Sequence, residues 1–214
     1  MTEFLFDGPT SAPATLVVAH GAGAAMDSPF MEDMARGLAS RGARVARFEF
    51  PYMAARRRAG AHRPPDREAV LLDTWRSVVA DLGGGARVVA GGKSMGGRMA
   101  SMVAAELAVK GLVCLGYPFH APGRPDRPRT AHLADVPVPG LIVQGTRDPF
   151  GTAADVAGYA LSPSLRVHWL EDGDHDFRPR KSSGRTVAQN REEAIEAVIA
   201  FLRGGGALTR PQAR

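Results

Sequence analysis

Three side chains that together could run nucleophilic catalysis recur in one order along the chain: Ser94, Asp148 and His175. Ser94 sits in Gly92-Lys93-Ser94-Met95-Gly96-Gly97, a G-x-S-x-G pattern. A serine hydroxyl is a weak nucleophile until a base takes its proton, and the base needs an acid to orient it. In a strand–turn–helix nucleophile site the expected order is serine, acid, histidine. Asp148 lies in Gly145-Thr146-Arg147-Asp148-Pro149, and His175 in Gly173-Asp174-His175-Asp176-Phe177. Each also has a plainer reading. Ser94 could be a helix-capping serine, Asp148 a turn aspartate before proline, and His175 a surface histidine among acids. The joint order and placement favour the catalytic set. A phosphate-binding loop is the other reading of Gly92-Lys93-Ser94, but its first glycine would fall at Arg87.

Such residues need elements to position them. Ala14 to Ala19 reads as a buried strand, and Ser28-Pro29 as a helix start with Met31, Met34, Ala35 and Leu38 on one face. Arg44 to Phe50 reads as a strand ended by Pro51, and Met53 to Pro65 as loop. A helix over Arg67 to Leu82 is closed by Gly83-Gly84-Gly85, and a strand follows over Arg87 to Gly91. Next come a helix from Ser94 to Val109, a strand from Leu112 to Leu115 and a Pro-rich loop from Tyr117 to Pro137. Strands at 138–144 and 165–170 flank a short helix over Thr152 to Leu161. Thr186 and Gln189 form the capping box of a last helix that Gly204 stops. Glu3 to Asp7 adds a candidate antiparallel edge strand.

The apolar strands alternate with helices, which predicts an α/β chain: a three-layer α/β/α sandwich with a mostly parallel sheet. One domain is expected over residues 1–203, with a flexible tail over 204–214. In such a sheet the ligand site lies at the carboxyl ends of the strands. Ser94, Asp148 and His175 each follow a different strand. Gly92 and Gly96 are small where a tight elbow needs room, and the helix that follows Ser94 favours a developing anion. The elbow predicts a positive φ at Ser94. The backbone N–H groups of Met95 and of Ala22, in His20-Gly21-Ala22-Gly23, are the candidate oxyanion donors. Of the other histidines, His168 reads as sheet packing, His62 and His132 as solvent-facing, and His20 as structural.

Composition removes other classes. Of 27 Lys and Arg residues only Lys93, Lys110 and Lys181 are lysines, so the net charge of +5 reflects arginine usage. The dense run Arg56-Arg57-Arg58 has no interleaved aromatic residues, so no nucleic-acid partner is expected. The single Cys114 excludes a multi-cysteine metal site, and no metal or cofactor is expected. No apolar run nears the roughly 20 residues of a membrane span. With no signal-like segment at residues 1–8, a cytoplasmic location away from any membrane is the expectation.

Four segments carry a family resemblance: His20-Gly21-Ala22-Gly23 with Ser28-Pro29-Phe30-Met31; Phe50-Pro51-Tyr52-Met53 with the arginines after it; Gly91 to Arg98; and Gly173 to Phe177. Over nearly its whole length the chain resembles the α/β-hydrolase superfamily. It is similar in particular to the small dienelactone-hydrolase-like branch, whose eukaryotic relatives include a testis-expressed protein. Dienelactone hydrolases use a cysteine nucleophile where this chain has Ser94. Many relatives carry a helical lid, for which Tyr117 to Pro137 is too short. The resemblance implies an open pocket bounded by Met53, Arg57, Phe119 and His120, and a serine hydrolase of carboxylesterase type acting on small esters or thioesters. The alternative is a non-catalytic binding or scaffold protein on the same fold. Oligomeric state is not legible from the residues.

Overall fold

The computed structural model describes residues 2–60 and 63–204. Within these residues seven strands form one sheet: β1 (Phe4–Asp7), β2 (Thr15–Ala19), β3 (Arg44–Phe48), β4 (Val88–Lys93), β5 (Gly111–Leu115), β6 (Gly140–Gly145) and β7 (Leu165–Leu170). Their spatial order is β1-β3-β2-β4-β5-β6-β7. All pairings are parallel except β1 against β3, where Phe4 lies opposite Phe48. The antiparallel edge strand read at Glu3 to Asp7 is therefore present.

Among the described residues six α-helices connect and cover the sheet: α1 (Pro29–Ala39), α2 (Pro51–Ala59), α3 (Glu68–Asp81), α4 (Met95–Val103), α5 (Ala153–Val156) and α6 (Val187–Arg203). Alternation along β2 sends Leu16 and Val18 to one face and Val17 and Ala19 to the other. On the first face they meet Met31, Met34 and Leu38 of α1 and Ile195 and Val198 of α6. On the second they meet Trp75 and Val78 of α3 and Met99 and Val103 of α4. The result is the expected α/β/α layering.

Some boundaries differ from the sequence reading. Met53 to Pro65 is not all loop, because Pro51 to Ala59 forms α2. Proline at its first turn presets φ, and Gly60 closes it with φ 64°. The Tyr52 N–H donates to Asp66 Oδ2 at 2.8 Å, satisfying a first-turn donor. Helix α4 stops at Val103 rather than Val109, and Ala108 takes φ 47° in the turn that follows. Helix α5 is a single turn ending at Val156 rather than Leu161. Between Gly116 and Pro139 the only helical element is a 3-10 turn over Ala131–Ala134, so this segment forms no lid domain. The helix stop at Gly204 is observed as the C-cap of α6, while the rest of the expected tail, 205–214, lies outside the described residues. No helix of the described residues is long and apolar enough to cross a membrane.

Candidate active site

Ser94 occupies the turn between β4 and α4 with φ 52° and ψ −116°. This positive φ is the strained geometry predicted for the elbow, and a residue with a Cβ holds it at a cost. The surrounding glycines make it possible. A Cβ on Gly96 would stand 2.4 Å from the Ala19 carbonyl oxygen, and one on Gly92 would stand 2.4 Å from the same atom. The Ser94 N–H donates to Leu115 O at 3.0 Å, tying the turn to β5.

Asp148 and His175 come from the ends of β6 and β7, which are neighbours. His175 Nδ1–H donates to Asp148 Oδ2 at 2.8 Å. That bond leaves Nε2 of the neutral ring free to accept a proton. Asp148 is fully buried. Its Oδ2 also accepts from Gln144 Nε2 at 3.0 Å, and its Oδ1 from the Phe150 N–H at 2.9 Å. Gln144 is itself fixed, since its Oε1 accepts the Tyr117 N–H at 2.6 Å and its Nε2 reaches Gly151 O at 3.2 Å. Phe150 packs against the imidazole with ring centroids 4.4 Å apart. The structure thus brings Asp148 and His175 into contact. Ser94 and His175 line one cavity, and among the described residues no hydrogen bond joins Ser94 Oγ to the His175 ring.

That cavity has a volume of about 460 Å³ and opens to solvent. The loop after β2, the start of α1 and the loop after β7 form its walls, with Phe30, Phe150 and Arg191 among the lining residues. Ala22 lines it, whereas Met95 lies at the first position of α4 beside Ser94. Among the described residues neither the Ala22 nor the Met95 backbone N–H donates to a protein acceptor. The Ala22 loop is held from behind. Tyr52 Oη–H donates to Ala22 O at 2.9 Å, and burial pushes the Tyr52 hydroxyl up to about 12, so it stays a donor. His20 is fully buried. Its Nδ1–H donates to Gly21 O at 2.7 Å and its Nε2 accepts from the Phe50 N–H at 3.2 Å, the structural role read for it.

The substrate-contact residues expected at Met53, Arg57, Phe119 and His120 do not line this cavity. Met53 and Phe119 are buried in the hydrophobic layer on the α3–α4 side. His120 is buried too, with Nδ1–H donating to Ala121 O and Nε2 3.4 Å from Asp155 Oδ2. Arg57 is engaged by Asp27 at 2.8 Å and Glu49 at 2.6 Å. The opening lies instead over α1 and α6. His132 is not solvent-facing either: Nε2 lies 2.8 Å from Ser101 Oγ, and burial lowers its basicity. His168 lies on β7 beside Glu193 at 3.1 Å, and His62 lies outside the described residues.

Residues that sequence reasoning missed include Gln144, Phe150 and Lys93. Gln144 is the last polar residue of a buried strand, which is the one signal that could have marked it. Lys93 is nearly buried, with Nζ donating to the His175 carbonyl oxygen at 2.7 Å and lying 3.4 Å from Asp176 Oδ1. Desolvation holds its pKa below the usual lysine range. Cys114 lies buried under Gly97, and burial pushes its thiol up, so it is no nucleophile. Among the described residues no group of three or more His, Cys, Asp or Glu side chains could hold a metal ion.

Comparison with known proteins gives a consistent picture. A family model described as an alpha/beta hydrolase domain matches residues 12–203. Among solved structures, the chain is similar to a lidless α/β serine hydrolase from Xanthomonas campestris, with TM-score 0.69 and 21% identity over 92% of this chain and 88% of that one. It is similar to a dienelactone hydrolase from Anabaena variabilis, with TM-score 0.68 and 21% identity over 94% and 90% of the two chains. It is also similar to an α/β serine hydrolase homologue from Coxiella burnetii, with TM-score 0.67 and 18% identity over 91% and 90%. At these identities the likeness is one of fold.

Proposed function

Because the chain belongs to the alpha/beta hydrolase domain family, we propose that it is a serine hydrolase of carboxylesterase type, acting on small esters or thioesters. The observation that carries this reading is the 2.8 Å bond from His175 Nδ1 to Asp148, at the mouth of a cavity that also holds Ser94 at φ 52°.

Ser94 Oγ attacks the substrate carbonyl carbon while His175 Nε2 takes the hydroxyl proton. Asp148, buried beside the ring, stabilises the imidazolium that forms and holds the ring in orientation. The carbonyl π electrons move to oxygen, and the N–H groups of Ala22 and Met95 donate to that oxyanion. As the tetrahedral adduct collapses, the bond to the leaving oxygen or sulfur breaks and His175 returns the proton to it. Water then enters, gives a proton to His175 and attacks the acyl carbon. The second collapse frees the acid and restores Ser94 Oγ–H. Hydrogen bonds between nucleophile and base often tighten only when substrate arrives.

A fluorophosphonate probe tests this directly. Labelling should fall on Ser94 and vanish in Ser94→Ala, with hydrolysis of short p-nitrophenyl esters lost in parallel. An unlabelled wild-type protein with no turnover would leave the non-catalytic binding role as the better account.

A further inference from the structure

At the amino ends of the parallel strands, on the edge of the sheet opposite to Ser94, Asp148 and His175, lies a second cavity of about 270 Å³. Its floor is apolar. Val89 of β4 and Ile199 and Phe201 of α6 are buried there, with Ala14, Ala43 and Leu202 beside them. Its rim is cationic: Arg41, Arg44, Lys110 and Arg203 line it, and among the described residues no Asp or Glu does.

Two of these cations are already engaged. Arg41 donates to Gly37 O at 2.9 Å and is paired with Glu192, and Arg203 Nη2 donates to Arg41 O at 3.4 Å. Both lie at the carboxyl ends of α1 and α6, where cations offset the helix dipoles. Arg44 and Lys110 have no such duty. The Arg44 guanidinium stands 4.5 Å from the centre of the Phe6 ring, and neither side chain makes a hydrogen bond or ion pair among the described residues. The backbone of Lys110 is fixed at the entrance to β5, its N–H donating to Val88 O at 2.8 Å.

An apolar floor under an unpaired cationic rim matches an amphiphilic anion: hydrocarbon burial drives binding, and charge-assisted bonds fix the head. The volume falls just below the roughly 300–1,000 Å³ of sites for drug-sized ligands, which suits a short chain or a single ring. Residues 205–214 carry two arginines and no acid, so charge does not favour them as the occupant. We propose that this cavity is a ligand site separate from the hydrolase cavity. Its ligand is a small amphiphilic anion with an apolar body of about eight carbons over Val89 and Phe201. One carboxylate or phosphate head is received by Lys110 and Arg44. The site does not depend on chemistry at Ser94.

Titration of octanoate, octyl phosphate, 1-octanol and acetate into the ¹⁵N-labelled full chain tests this. Octanoate or octyl phosphate should shift the backbone amides of Ala14, Ala43, Lys110 and Leu202. The tighter of the two anions, which names the head group, should bind at least about tenfold better than 1-octanol and acetate, the order of a charged hydrogen bond. High salt should weaken it, because the head sits at the rim. Lys110→Gln should cost about tenfold in Kd, and Lys110→Glu should abolish the shifts. No shift at this edge with either anion, shifts confined to Ala22, Phe150 and His175, equal affinity for 1-octanol or acetate, or undiminished binding in Lys110→Glu overturns the proposal. The same shifts on raising protein concentration alone would make a second copy the occupant and overturn it too.

Discussion

Lys93 Nζ donates to the carbonyl oxygen of His175 at 2.7 Å, so the residue just before the nucleophile candidate holds the loop that carries the base candidate. The two are 82 positions apart in sequence. The bond couples the elbow after β4 to the loop after β7. Lys93→Met keeps the side-chain length and removes the donor. Its buried ammonium already bears a desolvation penalty, so the urea midpoint should move little. Turnover of a p-nitrophenyl ester should fall about tenfold through kcat, because the imidazole is less well placed. An unchanged kcat would show that the loop holds its shape without Lys93.

Ser94→Ala and His175→Ala should each remove nearly all esterase activity, on the order of 10⁴-fold or more. The double variant should lose no more than the worse single one, since nucleophile and base act as a unit. Steady-state kinetics on all four proteins reads this cycle. Additive losses would mean that the two residues serve separate steps.

Gly96→Ala places a methyl group where the Ala19 carbonyl oxygen stands 2.4 Å away. Strand β2 and helix α4 must then separate, at a cost of about 1–3 kcal/mol in unfolding free energy. Urea denaturation followed by circular dichroism measures the loss. An undiminished stability would argue that the close approach at the elbow is dispensable.

His20 is buried, and desolvation, the largest influence on it, lowers its pKa below the usual histidine value of 6.5. His132 is shifted in the same direction, also first by desolvation. A histidine kept neutral by the fold is protonated more readily once unfolded. Stability is therefore complete above pH 6.5 and declines as pH falls below it towards the depressed folded-state value. Protonation of His20 Nε2 also destroys its acceptor role towards the Phe50 N–H. The urea midpoint should drop between pH 7.5 and pH 5.5, and the drop should be smaller in His20→Gln. A midpoint that does not vary over this range would contradict the burial argument.

The sequence by itself determined the layers and the elbow. Alternating apolar positions in β2 and the helical stripes of α1, α3 and α6 state which side chains must leave water, so the order of strands and helices could be read directly. Ser94 was legible because an elbow needs small neighbours, and Gly92, Gly96 and Gly97 spell that need locally. Asp148 and His175 were legible because each follows an apolar strand, and parallel strands end on one edge. Helix α2 was hidden: a proline and three arginines read as loop when Asp66, Gly60 and the acids facing Arg57 are not yet in place. Only the tertiary structure decided where the cavity opens. Periodicity marks Phe119 and Met53 as apolar, and an apolar residue after a strand can line a pocket or fill the core equally well. Packing filled the α3–α4 side with them and left the gap over α1 and α6. There Phe30, Phe150, Arg178 and Arg191 meet from distant parts of the chain, a convergence no local pattern encodes, since it depends on how helices from distant parts of the chain settle against one sheet.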